Sequence, residues 1–244
     1  MTSRDGKVAL VTGAGRRVGR ALALGVAQDG FRVAIHYNAS STGAQELAKD
    51  IAAAGYPPAV LFAADLRSAA DAEALPGRVV EQMGRLDVLV NSAAVMLKQP
   101  FGSVTPAMWD DVLNLNLRAP FFTSQGAASA LRAAHGSIIN ISDLAAFDVW
   151  PSYLPHNVSK AGIEMLTRGL ARVLAPDVRV NAIAPGPVLL PDDWSAAATK
   201  RTVSDVPLQR VGTPDDVVSA ARYLLAADFV TGTTIIVDGG QRVR

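Results

Sequence analysis

Seven short runs rich in Val, Ile and Leu recur along the chain, separated by longer, alanine-rich amphipathic segments. The runs are KVALVTG (7–13), RVAIHYN (32–38), AVLFAAD (59–65), LDVLVNS (86–92), GSIINIS (136–142), VRVNAIAP (178–185) and GTTIIVDGG (232–240). Near-continuous apolar runs are the signature of strands buried on both faces, and the segments between them supply the helices that cover those faces. The pattern predicts an α/β fold, a three-layer sandwich with a seven-stranded parallel sheet and helices on both sides. Helix punctuation agrees: Thr105-Pro106 and Thr213-Pro214 each place a capping hydroxyl before a proline at the first helical position, and Gly55 stops a helical run. No linker, low-complexity tract or repeat interrupts the alternation, so residues 1–244 read as one domain.

Composition narrows the chemistry. The chain is 50% hydrophobic and 18% charged with a formal charge of +1, which gives no long-range field for nucleic acid. No apolar run approaches the roughly 20 residues that span a bilayer, and the N-terminus lacks a signal-peptide core, so a cytoplasmic protein without a membrane partner is expected. The absence of cysteine removes thiolate chemistry, and His36, His135 and His156 form no ligand pair, so no metal site is expected.

The segment VTGAGRRVGRALA (11–23) falls where the first strand turns into the first helix. Glycines there let the backbone approach a diphosphate, whose charge meets the free N–H groups of the helix N-terminus; a tight βα turn alone is the plainer reading. The second strand ends IHYNASS, with no Asp or Glu where a carboxylate would bind an adenosine ribose and repel a 2′-phosphate. Arg16 and Arg17 from the turn, with Asn38 and Ser40 from the strand end, suit that phosphate instead, which favours NADP(H) over NAD. His36 either contacts the adenosine or is an ordinary exposed histidine.

The chain resembles the short-chain dehydrogenase/reductase family along almost its whole length. Thr12, Gly13 and Gly19 fit the family's TGxxxGxG turn, Asp65 its adenine-contacting acid, and NSAA from Asn91 its NNAG segment. Asn116 fits the active-site helix asparagine, Pro185-Gly186 the strand end beside the nicotinamide, and VDGG (237–240) the closing strand. The resemblance implies a Rossmann-type fold and further cofactor contacts from Val18, His36, Tyr37, Leu66, Ala93, Val188 and Lys160. It also implies a homo-oligomer, dimer or tetramer, acting on a small molecule.

In this family a tyrosine exchanges a proton with the substrate oxygen, a lysine one helical turn later lowers its pKa and binds the nicotinamide ribose, and a serine thirteen residues before the tyrosine holds the oxygen. Lys160 in SKAG sets the register here. Four residues back stands His156, and thirteen before that stands Asp143. Tyr153 is seven residues from Lys160, about two turns or roughly 10 Å of rise, too far for the two to share one oxygen and one ribose. The expected catalytic set is therefore Asn116, Asp143, His156 and Lys160. Pteridine reductases resemble this chain in having an aspartate at the serine position, an arginine-bearing glycine turn and a His-Tyr pair after the second strand. They supply a stacking aromatic where this chain has Met96 and Leu97, which suggests a differently shaped pocket, with Met96, Trp150, Tyr153 and Trp194 as candidate walls. Three functions stay open: reduction of a C=N bond with Asp143 or His156 as acid, carbonyl reduction with His156 in the tyrosine's role, or a catalytically impaired relative that binds NADP(H) as a binding or scaffold subunit.

Overall fold

The computed structural model describes residues 6–190 and 195–243. Seven strands form one all-parallel sheet: β1 Val8–Val11, β2 Arg32–Tyr37, β3 Val60–Ala63, β4 Val88–Asn91, β5 Ser137–Ile141, β6 Arg179–Pro185 and β7 Thr234–Val237. Their order across the sheet is β3-β2-β1-β4-β5-β6-β7. The chain starts at the middle, winds outward to β3, returns to pair β4 with β1, and then winds the other way. Reversal between β1 and β4 leaves a crevice outside the carboxyl ends of these strands, where ligands bind in open α/β sheets. The strands are shorter than the apolar runs because each run ends in the residues that turn toward this crevice.

The helices are α1 Arg17–Gln28, α2 Ser41–Ala53, α3 Ala69–Met83, α4 Pro106–Leu113, α5 Ala119–Ala134, α6 Leu154–Leu174, α7 Ala196–Ser204 and α8 Pro214–Ala226. Strand side chains alternate in direction, so each strand feeds two cores. Ala9, Val11, Val33, Ile35, Val90 and Ile139 pack with α1, α2 and α8, while Val8, Leu10, Ala34, Leu89, Ile138 and Val180 pack with α3, α5 and α6. Two cores explain why the runs are apolar at every position rather than at every second one. Thr105 caps α4 by accepting from the Met108 N–H, Thr213 and Asp216 cap α8 reciprocally, and Gly55 follows α2 with φ +79°, each where the sequence placed a boundary.

One departure from regular geometry lies at the site. Between α4 and α5 the helix widens over Asn114–Arg118, with the Ala119 N–H bonding to the Asn114 carbonyl. Pro120 offers no N–H, and its ring would strike the carbonyl four residues back, that of Asn116. Widening by one residue relieves that clash without a kink, and such π-type turns recur at functional sites.

Candidate active site

The glycine turn is held from three sides. Thr12 Oγ1 accepts from the Ser92 and Ala93 N–H groups at 2.9 and 3.1 Å, tying the turn to the end of β4. Gly13 has φ +66°, and a Cβ there would lie 2.8 Å from Ala93 Cα, so glycine is required on both counts. Its N–H donates to His36 Nδ1 at 3.0 Å, and His36 Nε2 donates to the Ala64 carbonyl at 3.2 Å. This corrects the reading of His36 as an ordinary exposed histidine: it is 2% exposed, with both ring nitrogens bonded to backbone, and it braces the turn. Burial pushes its pKa down to about 4, so the ring is neutral, as an acceptor at Nδ1 requires.

Arg16 is exposed and precedes α1 in extended conformation, and no side chain caps the helix, which leaves its first N–H groups free for an anion. Ser40 is half-buried and lies against Gly15, where a Cβ would approach Ser40 Cβ to 2.8 Å, so the segment from exposed Asn38 to Ser40 borders the same turn. Val18 and Tyr37 are half-buried, Leu66 is buried, and Asp65 accepts from the Arg67 N–H at 3.1 Å. These residues fit a dinucleotide with a 2′-phosphate: free amides face the diphosphate, an arginine stands at the turn, and the β2 end lacks a repelling carboxylate. Arg17 departs from the expected pairing. Its backbone is left-handed (φ +52°), and its guanidinium reaches across to donate to the Leu189 carbonyl at 2.8 Å, beyond β6. Asn91 departs as well: its Nδ2 donates to Asn140 and Ser124 and its Oδ1 accepts from Thr123, so its side chain serves a buried network beneath the site. Beyond β6, the Gly186 N–H bonds to the Val237 carbonyl at 2.9 Å, and Val188 is buried.

The four expected catalytic residues converge at the carboxyl ends of β4 and β5. Lys160 is 4% exposed, and its Nζ donates to the Ile141 carbonyl at 2.8 Å. Burial holds its pKa below the usual lysine value, opposed by the charges of Asp143 and Glu164. Asn116, on the widened turn, clamps Val95: its Oδ1 accepts from the Val95 N–H and its Nδ2 donates to the Val95 carbonyl, both at 2.8 Å. His156 Nδ1 lies 3.2 Å from that carbonyl and 3.3 Å from Asn116 Nδ2, while Nε2 faces Asp143 Oδ2 at 3.7 Å. Asp143 opens a short 3-10 turn, its Oδ1 accepting from the Ala145 N–H at 2.9 Å.

Tyr153 precedes α6 with non-helical backbone and packs edge-on against Trp150, with centroids 6.2 Å apart. Trp150 in turn stacks on His156 at 6.3 Å and 15°. His156 and Lys160, four residues apart, are both buried on α6, whereas Tyr153 lies before the helix starts. Met96 is half exposed on the β4 side, and Trp194 lies outside the described residues. Sequence reasoning missed Ser159, whose Oγ lies 3.2 Å from Asn116 Nδ2, and Arg242, whose guanidinium stacks on Phe147 at 4.4 Å and lies 3.7 Å from Asp148. The SK pair was a signal for Ser159; nothing in the sequence connects a residue near the C-terminus with the loop after β5. Among the described residues no group of His, Asp or Glu is placed to hold a metal ion, and no helix is long and apolar enough to cross a membrane.

Comparisons with known proteins agree with this arrangement. A family model described as enoyl-(acyl carrier protein) reductase matches residues 13–242. The 3-oxoacyl-(acyl-carrier-protein) reductase FabG of Staphylococcus aureus is 35% identical over 241 residues, covering 96% of this chain and 98% of that protein. A gluconate 5-dehydrogenase from Burkholderia cenocepacia, solved with NADP and tartrate, superposes with a TM-score of 0.91 at 30% identity, covering 98% of this chain and 96% of that one. FolM alternative dihydrofolate reductase 1 from Brucella suis, solved with NADP, gives a TM-score of 0.91 at 33% identity with the same coverage. With its doubly wound sheet, glycine turn and Asn116–Lys160 cluster, this chain belongs to the short-chain dehydrogenase/reductase family.

Proposed function

We propose that this protein is an NADPH-dependent reductase of a C=O or C=N bond in a small cyclic substrate, its 244 residues acting as one domain. The observation that carries the reading is the convergence of Lys160, His156, Asp143 and Asn116 at the strand ends beside the glycine turn. A buried lysine cation is costly, and its retention here suits a charge that binds a ribose and steadies a nearby acid. When bound, the nicotinamide supplies the hydride. Lys160 and the Pro185–Val188 segment hold and orient that end, and the Asn116–Val95 clamp fixes the site wall. Asp143 and His156 hold the proton that the substrate heteroatom gains. The aspartate favours C=N substrates, whose basic nitrogen accepts a proton readily, and the likeness to FolM points the same way, whereas FabG keeps carbonyl reduction in view. Exposed Phe121 on α5 and Val158, Met165 and Val173 on α6 suit burial between subunits, so a cytoplasmic homo-oligomer is the expected form.

The second reading, a member that binds NADP(H) without redox turnover, is favoured by the enclosure of His156, which is 3% exposed. Titration of the purified protein with NADPH and NADH, followed by absorbance assays with ketones, dihydropterins and cyclic imines, separates the two. The reductase reading expects NADPH oxidation with at least one of these classes. NADPH binding without turnover, with ketone reduction gained by His156→Tyr, would favour the non-redox reading. Arg16→Ala is expected to weaken NADPH binding on the order of tenfold while leaving NADH binding nearly unchanged, because one charge-assisted contact to the 2′-phosphate is lost. Equal effects on both cofactors would remove Arg16 from the phosphate site.

A further inference from the structure

We infer that Asp143 hands the proton to the reduced heteroatom and that His156 is a positioning residue behind it; the inference rests on the reductase reading above. An imidazole is shorter than a phenol, so a histidine in the tyrosine's place stops short of the point a phenol hydroxyl would reach. His156 Nε2 is accordingly enclosed and has no hydrogen-bond partner. The ring is held in place by Val95 and Asn116 at Nδ1 and by the stacked Trp150, so it cannot swing outward without breaking those contacts. Asp143 is placed differently. Its side chain is 24% exposed against 3% for His156, and with Oδ1 fixed by the Ala145 N–H, its other oxygen, Oδ2, is the one nearest the imidazole.

Nε2 and Oδ2 are 3.7 Å apart, beyond direct hydrogen-bond reach, so a proton carried on Oδ2 is not drawn into the imidazole and can pass to the substrate heteroatom. Lys160, from α6, is close enough to feel the charges of both Asp143 and Glu164. In the step, hydride from NADPH forms the new C–H bond, the C=N or C=O π pair moves to the heteroatom, and that atom takes the proton as the Asp143 O–H bond breaks. The resulting carboxylate is steadied by the Lys160 cation and regains a proton from water on its exposed side.

The test compares Asp143→Asn and His156→Phe in the full chain on two cyclic substrates. One is a neutral imine; the other is its N-methylated iminium, which accepts hydride and needs no proton. Asp143→Asn is expected to lower kcat on the neutral imine at least about 100-fold. On the iminium it should change kcat less than about threefold, with NADPH affinity by fluorescence retained, which also shows the variant folded. His156→Phe is expected to lower kcat on the neutral imine about tenfold. It should change kcat on the iminium less than about threefold, a split between the two substrates that a loss of folding alone would not give. Equal losses on both substrates for Asp143→Asn would overturn the inference, as would neutral-imine turnover that survives Asp143→Asn and vanishes in His156→Phe. If the wild type reduces ketones alone, Asp143→Asn decides on the ketone: a kcat loss of at least about 100-fold with NADPH affinity retained supports Asp143, and persistent turnover overturns it. A wild type that binds NADPH and reduces nothing overturns the reductase reading itself.

Discussion

Gly19→Ala is expected to weaken NADPH binding at least about 100-fold, close to 3 kcal/mol, and to destabilise the fold by about 1–3 kcal/mol. Gly19 lies in the first turn of α1, and an added Cβ would stand 2.4 Å from the Gly13 carbonyl oxygen and 3.0 Å from its carbon. Both neighbours are backbone, so no side chain can rotate away. The turn also cannot retreat freely, because Gly13 is pressed against Ala93 and bonded to His36. The methyl group must therefore push α1 away from the turn, which displaces the free N–H groups that meet the diphosphate. Fluorescence titration with NADPH and a urea denaturation curve measure the two effects. A variant with wild-type affinity would mean that the glycines serve only the turn and not the cofactor.

Acidification should unfold this protein through His36. The unfolded histidine takes up its proton near pH 6.5, the folded one only near pH 4. Between these values the unfolded state binds a proton that the folded state refuses, so stability falls as pH falls. The slope approaches about 1.4 kcal/mol per pH unit and the total about 3 kcal/mol. Below pH 4 the folded ring also charges, and Nδ1 can no longer accept from the Gly13 N–H. Asp216, held at about 2 by Arg210, acts at lower pH: it contributes stability that is lost only as pH falls below the usual aspartate value of 3.8. Urea midpoints of wild type and His36→Asn between pH 7 and 5 give the measurement. The variant should begin less stable at pH 7 and show a flatter slope; parallel slopes would remove His36 as the cause.

The apolar runs were legible as strands because the inner strands bury successive positions in one or other of two cores, and their alternation with amphipathic segments leaves few other parallel arrangements. The pairing of His156 with Lys160 was legible because the two are one turn apart on α6, and that turn is a property of any helix. Contacts between distant segments were not. His36 looked like a strand-end residue with a choice of solvent or adenosine, yet pairing of β2 with β1 and β3 brings the Gly13 and Ala64 backbones to its two nitrogens. Asn91 belongs to a familiar motif, but its side chain is consumed by Asn140, Ser124 and Thr123 from neighbouring elements. Arg17 was grouped with Arg16 by adjacency, and its left-handed backbone turns it toward Leu189, 172 residues away.

By itself, then, the sequence determined the layered fold and the glycine turn, and it set His156 one helical turn before Lys160, since these depend on periodicity and short spacings. Only the tertiary structure decided which polar side chains brace the scaffold and which face the crevice. Hydrogen-bond partners of buried groups come from segments far apart in the chain, and only folding brings them within 3 Å or so of one another.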